Sequence, residues 1–137
     1  MILILVESPN KARAVAQYAR ELFDEKVVVR STLGHLHDLP EGTLGVNIPQ
    51  GFSPLYAIRN QKAVSYLRPF IRDAHQVYLA MDPDREGEAI AWHVTKVFKT
   101  ELHGKLVLRV SFNAITREAV QKGLRQGREI DQALVKA

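Results

Sequence analysis

The stretch Val77-Tyr78-Leu79-Ala80-Met81-Asp82-Pro83-Asp84-Arg85-Glu86-Gly87-Glu88 passes from an apolar run straight into four carboxylates within seven residues. The apolar run reads as a buried strand. Beyond the acids, Ile90, Val94, Val97 and Phe98 fall at i, i+4, i+7 and i+8, the stripe of an amphipathic helix. The acids therefore stand where a strand gives way to a helix. Asp82 and Asp84, two apart, project to the same side of an extended backbone, and Glu86 follows in the first helical turn, so the three can converge on one point. Carboxylates so close together repel unless water or a cation lies between them. Oxygen ligands without Cys, and with no His nearer than His93, favour a hard ion such as magnesium. Magnesium takes one or two carboxylates and shares its other positions with water and substrate phosphate, so the implied substrate is a phosphate ester or phosphodiester. A plainer account stands beside this one: Asp84 as a helix N-cap and Glu86 as an acid on the helix dipole. It covers two of the acids and leaves Asp82 and the small Gly87 unexplained.

A second acid occupies an equivalent place. Met1-Ile2-Leu3-Ile4-Leu5-Val6 is a continuous apolar run, as expected of a strand buried on both faces. Glu7-Ser8-Pro9-Asn10-Lys11 then opens a helix with a capping residue and Pro close together. In open α/β sheets ligands bind beyond the carboxyl ends of the strands, so Glu7 and the Asp82 cluster are expected to face one crevice. An ordinary dipole-stabilised acid is the competing account of Glu7, and a solvated surface Lys that of Lys11.

The pattern alternates along the chain: strands at 2–6, 26–31, 76–81 and 106–111, helices at 10–23, 61–72, 86–99 and 116–126. Such alternation predicts an α/β fold with a mainly parallel central sheet of about four strands and helices on both faces. Residues 34–60, with Gly34, Gly42, Gly45, Gly51, Pro40, Pro49 and Pro54, form a loop-rich insertion with room for short strands at 44–48 and 55–58. A stretch of that length tends to be functional or partly structured.

At 137 residues, with 46% hydrophobic composition, the chain fits one domain with its own core. No Cys occurs, which excludes disulfides and thiolate metal sites. No apolar stretch approaches the ~20 residues of a membrane span, and no basic start followed by a cleavage site is present, so the cytoplasm is the expected location. The formal charge is +4. Setting aside the one Arg and four acids of 82–88 leaves 18 basic against 11 acidic residues of the 19 and 15 in the whole chain. An acid pocket on a basic body suits a polyanion held around a metal, because basic surfaces bind nucleic acid by neutralising phosphate.

Four blocks in order, Val6-Glu7-Ser8-Pro9-Asn10-Lys11, Ser31-Thr32-Leu33-Gly34-His35-Leu36-His37-Asp38-Leu39-Pro40, Asp82 through His93, and Phe112-Asn113-Ala114-Ile115-Thr116, resemble the Toprim domain of type IA DNA topoisomerases, most like its bacterial topoisomerase I members. The resemblance runs the length of the chain. Its central string Asp-Pro-Asp-Arg-Glu-Gly-Glu-Ala-Ile-Ala-Trp-His is far more specific than a shared Asp-x-Asp. His37 departs from a usual Arg, Met81 from Thr and Ala114 from Glu.

The resemblance implies a Rossmann-like Toprim fold, magnesium bound by Asp82, Asp84 and Glu86, and Glu7 beside the scissile phosphate, assisting proton transfer to the departing 3′ oxygen. It implies that Lys11 contacts that phosphate. Arg85, Glu88, His35 and His93 are candidates for touching DNA phosphate or supporting the acids. The family's reaction is a transesterification in which a Tyr forms a 5′-phosphotyrosyl link, another strand passes, and the break reseals. Tyr18, Tyr56, Tyr66 and Tyr78 all lie outside any setting like the nucleophile motif, so the chain is expected to need further domains and to be inactive, and monomeric, by itself. Residues 128–137 resemble the passage into a following helical domain, with 132–137 expected to fray. Two other readings stay open: a self-sufficient Toprim nuclease or primase-type enzyme, and a non-catalytic DNA-binding module. Trp92 is expected to serve packing, and His93 to be a semi-buried, satisfied side chain.

Overall fold

The structure, a computed structural model, describes residues 1–32 and 61–129. The expectations for the 34–60 insertion, His35, His37, Tyr56 and residues 132–137 fall outside them. The elements in chain order are β1 (Ile2–Val6), α1 (Pro9–Leu22), β2 (Val27–Ser31), α2 (Gln61–Asp73), β3 (Gln76–Leu79), α3 (Arg85–Val97), α4 (Lys99–Leu102), β4 (Leu106–Arg109), α5 (Arg117–Arg125) and β5 (Arg128–Glu129).

The five strands form one sheet in the order β2-β1-β3-β4-β5. The first four are parallel, with Ile4 opposite both Val29 and Tyr78, and Val77 opposite Val107. The predicted parallel α/β architecture is the one found. β5, a two-residue antiparallel edge on Leu108 and Arg109, was not expected. Residues 128–129 carry no alternating apolar pattern that would mark them as a strand.

All five residues of β1 are buried because both faces of the sheet are covered. Leu3 and Leu5 pack with Val77 and Leu79 against Leu67 and Ile71 of α2 and Ile90, Val94 and Phe98 at α3. Ile2, Ile4 and Val6 face the other way, against Val15, Ala16 and Ala19 of α1 and Val120 and Leu124 of α5. The predicted stripe is thus the face of α3 that docks on the sheet, with Ile90, Val94 and Phe98 at 1%, 0% and 0% exposure. The helix expected over 86–99 breaks at Phe98, where φ is −105° and ψ 28°, and restarts as the short α4.

The chain leaves β1 toward β2 and later returns to β1's other side as β3. The order of connection therefore reverses between β1 and β3. Crevices at the carboxyl ends of strands flanking such a reversal are where open α/β sheets bind ligands. Glu7 follows β1 directly, and Asp82 lies three residues beyond the end of β3. Among the described residues no helix is long and apolar enough to cross a membrane.

Candidate phosphate and metal site at the sheet's carboxyl edge

Parallel pairing continues past both strands, with Ala80 N–H donating to the Leu5 carbonyl at 2.8 Å and Thr32 N–H to the Val6 carbonyl at 2.9 Å. That extension brings the loops after β1 and β3 side by side. The Asp82 backbone N–H donates to Oε1 of Glu7 at 2.5 Å, and Lys11 Nζ donates to Oδ1 of Asp82 at 2.8 Å. Ser31 Oγ, at the end of β2, donates to the Glu7 carbonyl at 3.1 Å. Residues 7, 11, 31 and 82 thus close into one hydrogen-bonded cluster over the switch between β1 and β3.

The electrostatics centre on Lys11. Its hydrogen bond to Asp82 raises its pKa above the ordinary value, partial burial opposes this, and the charges of Asp82, Glu7 and Asp84 add to the rise. Three carboxylates therefore stabilise a cation at one place. Lys11 is not the solvated surface residue of the plainer reading; it is ion-paired with Asp82, their side chains 35% and 45% exposed.

The other acids divide between roles. Asp84 is the N-cap of α3, its carboxylate accepting from the Gly87 N–H at 2.7 Å, so the capping account holds for this residue. Glu86 and Glu88 lie in the first turn, where acids suit the positive end of the helix dipole. Glu86 and Arg85 are exposed, and His93 is half-buried with its ring 5.1 Å from Trp92. Trp92, expected to pack, is instead 42% exposed with Lys96 Nζ 5.2 Å above its ring. α3 turns only its Ile90–Val94 side to the sheet, and position 92 falls away from it.

The structure does not gather Asp82, Asp84 and Glu86 into one ligand set. Among the described residues no three His, Cys, Asp or Glu side chains are grouped to hold a metal ion. The reason is local: Asp84 is turned to its cap and Asp82 to Lys11. The donor chemistry still fits magnesium, which needs only one or two carboxylates of this oxygen-only set. The ammonium held on Asp82 shows that a cation is already favoured there.

Gly87 explains how the acid loop sits so tightly. A Cβ at that position would lie 2.0 Å from the Asp82 carbonyl oxygen, so the first turn of α3 rests directly on the Asp82 peptide. Arg109, the last residue of β4, holds the loop from the other side. Its side chain is only 11% exposed, and the guanidinium donates to the carbonyls of Met81 at 2.8 Å, Asp82 at 2.8 Å and Leu79 at 3.1 Å, and to both carboxylate oxygens of Glu88 at 2.9 and 3.2 Å. Sequence reasoning missed Arg109. A basic residue ending an otherwise apolar strand was the available signal, since a charge there must find partners at the sheet's edge.

The chain is 38% identical over 151 aligned positions to DNA topoisomerase 1 of Mycolicibacterium smegmatis (strain ATCC 700084 / mc(2)155), an alignment covering 98% of this chain and 15% of the relative. DNA topoisomerase 1 of Mycobacterium tuberculosis (strain ATCC 25177 / H37Ra) matches with the same identity and coverage. The chain therefore spans about 15% of the length of these curated relatives. The Toprim domain family matches residues 2–115, which include Glu7, Lys11, the whole acid loop and Arg109, and the chain belongs to that family.

Proposed function

We propose that this chain is the magnesium-binding Toprim part of a type IA DNA topoisomerase, supporting single-strand DNA cleavage and religation with a nucleophilic Tyr supplied from outside it. The observation that carries the proposal is the meeting of Glu7, Lys11 and Asp82 where the connection reverses between β1 and β3. A phosphodiester entering there finds a carboxyl group, an ammonium and a metal-type carboxylate on one rim.

One or two carboxylates of the set Asp82, Asp84 and Glu86 would hold the magnesium ion, which when bound supplies positive charge to the phosphate oxygens. Lys11, paired here with Asp82, would contact the phosphate, where its compact charge suits a single phosphate oxygen. Attack by Tyr on phosphorus leaves the 3′ oxygen in need of a proton, and Glu7 delivers it as general acid and recovers it on religation. Arg109 and Gly87 keep the acid loop in place, so alignment rather than covalent chemistry is what this chain contributes. Single-stranded DNA, the remaining topoisomerase domains and a cytoplasmic setting complete the reading, with the isolated chain monomeric.

The test is reconstitution. The isolated chain should form no covalent adduct with single-stranded DNA on Tyr18, Tyr56, Tyr66 or Tyr78 by mass spectrometry. Joined to the Tyr-bearing domains of a relative, it should restore magnesium-dependent relaxation of negatively supercoiled plasmid, and Glu7→Gln or Asp82→Asn should impair it. Metal-dependent nicking by the chain alone would favour a self-sufficient nuclease. Salt-sensitive DNA binding indifferent to chelator and to Asp82→Asn would favour a plain binding module.

A further inference from the structure

An open groove of about 340 Å³ lies along the edge strand β2, between the first turn of α1 and α2. Pro9 and Ala12, on either side of Lys11 in the first turn of α1, form one wall. Ser31 forms part of another, and its hydroxyl is the one bonded to the Glu7 carbonyl at 3.1 Å. The groove therefore shares Ser31 with the cluster described above and is walled by the same first turn of α1 that carries Lys11.

Its far wall is aromatic and cationic. Tyr66 and Phe70, one turn apart on α2, meet edge to face with ring centroids 5.6 Å apart. The Arg30 guanidinium carbon lies 4.5 Å above the Phe70 ring, with Nη1 donating to the Val29 carbonyl at 2.8 Å. Phe70 is partly buried against the core, but Tyr66 is 44% exposed. Tyr66 therefore keeps part of its ring open to the groove while its other side meets Phe70. An exposed ring, a fixed cation and an apolar floor make up the chemistry of a nucleobase platform, because every base has a face that stacks and the backbone beside it is anionic. At the small end of ligand-site volumes, the groove admits one nucleotide unit and not a duplex.

We infer that this groove is a base-stacking subsite for an unpaired nucleotide adjoining the phosphate held at Lys11, with Tyr66 as the platform and Arg30 as its cationic neighbour. The base must be unpaired, because inside a duplex both its faces are already stacked. The subsite rests on the nucleic-acid reading above and adds to it: affinity for single strands carries a base-dependent part located on α2, apart from the phosphate-dependent part located on α1.

The experiment measures binding of the chain, by fluorescence anisotropy in low salt with magnesium, to a labelled oligothymidylate and to the same backbone made of abasic units. Tyr66→Ala should weaken binding of the base-bearing strand by about five-fold or more, the low end for loss of one stacked base. It should leave the abasic strand unchanged, and Tyr66→Phe should bind like wild type. Lys11→Ala should weaken both strands alike. An oligonucleotide carrying 5-iodouracil, irradiated with the unmodified chain, should cross-link to the α2 peptide containing Tyr66, which keeps the test valid if a variant fails to fold. Binding sensitive to Lys11→Ala but indifferent to Tyr66→Ala, or cross-links confined to other peptides, would overturn the subsite and leave the phosphate site standing. A chain that bound neither strand would overturn both.

Discussion

Two junctions of the same kind, strand into helix at the carboxyl edge of neighbouring parallel strands, are built in opposite ways. The junction between β3 and α3 is held from every side: Asp84 caps the helix through Gly87, Gly87 rests on the Asp82 carbonyl, and Arg109 grips the Met81 and Asp82 carbonyls together with Glu88. The junction between β1 and α1 has little of its own. Ser8 makes no side-chain cap bond and the first turn of α1 contains no acid. Its polar side chains instead reach outward, Glu7 to the Asp82 N–H and Lys11 to the Asp82 carboxylate. One junction is braced on itself and the other reaches across to it, a division that suits the proposed site, in which the acid loop is the fixed part and Glu7 and Lys11 are the groups that meet substrate.

The comparison can be broken most severely at Gly87. Gly87→Ala should destabilise the chain by about 3 kcal/mol in urea unfolding, since a Cβ would overlap a backbone oxygen that cannot yield without moving the loop. A change near zero would mean that the first turn of α3 is free to shift. Arg109→Ala should cost about 2 kcal/mol, because it leaves clustered carbonyls and Glu88 without their charged donor. Arg109→Lys should recover only part of this, since an ammonium cannot reproduce the forked contact.

The caps give a direct pairwise contrast. Asp84→Ala should cost about 1 kcal/mol, whereas Ser8→Ala should stay within about 0.5 kcal/mol, as no side-chain bond is lost there. Equal costs would erase the distinction between the junctions. The smallest effect on folding should come from Lys11→Met, below about 1 kcal/mol, because the pair with Asp82 is half exposed. Its pH dependence is specific. The Lys11 pKa is raised on folding, so the pair's contribution is complete below the ordinary lysine value of 10.5 and disappears as pH climbs through the higher folded value. The stability gap between wild type and Lys11→Met should therefore stay constant through neutral pH and close in strong alkali. A gap that closed between pH 5 and 8 would place another group in the pair.

The sheet was legible because burial on both faces leaves a simple trace: the apolar runs at 2–6 and 76–81 could be nothing but covered strands, and the Ile90–Val94–Phe98 stripe named the surface that covers one of them. β5 was not legible, since two residues pairing with Leu108 and Arg109 carry no period. In the site, the nearness of Glu7 and Asp82 followed from their equivalent positions beyond adjacent strands. What could not be read was how each carboxylate is engaged. Whether Asp84 turns to a cap or to an ion, and whether Lys11 meets Asp82 or solvent, depends on contacts between residues up to 71 apart. Arg109 escaped notice for the same reason, its partners being carbonyl groups, which a sequence does not distinguish from one another.

We propose that Glu7, Lys11 and Asp82 form one cation and phosphate site over the switch between β1 and β3. Magnesium titration of the chain, followed residue by residue through backbone amide and lysine ammonium resonances, tests it most directly. Saturable shifts should concentrate at Glu7, Asp82, Asp84 and Gly87, with a changed Lys11 ammonium signal as Asp82 exchanges its partner, and all of these should be lost in Asp82→Asn. Shifts that bypass Asp82 and Lys11, or that persist unchanged in Asp82→Asn, would contradict it.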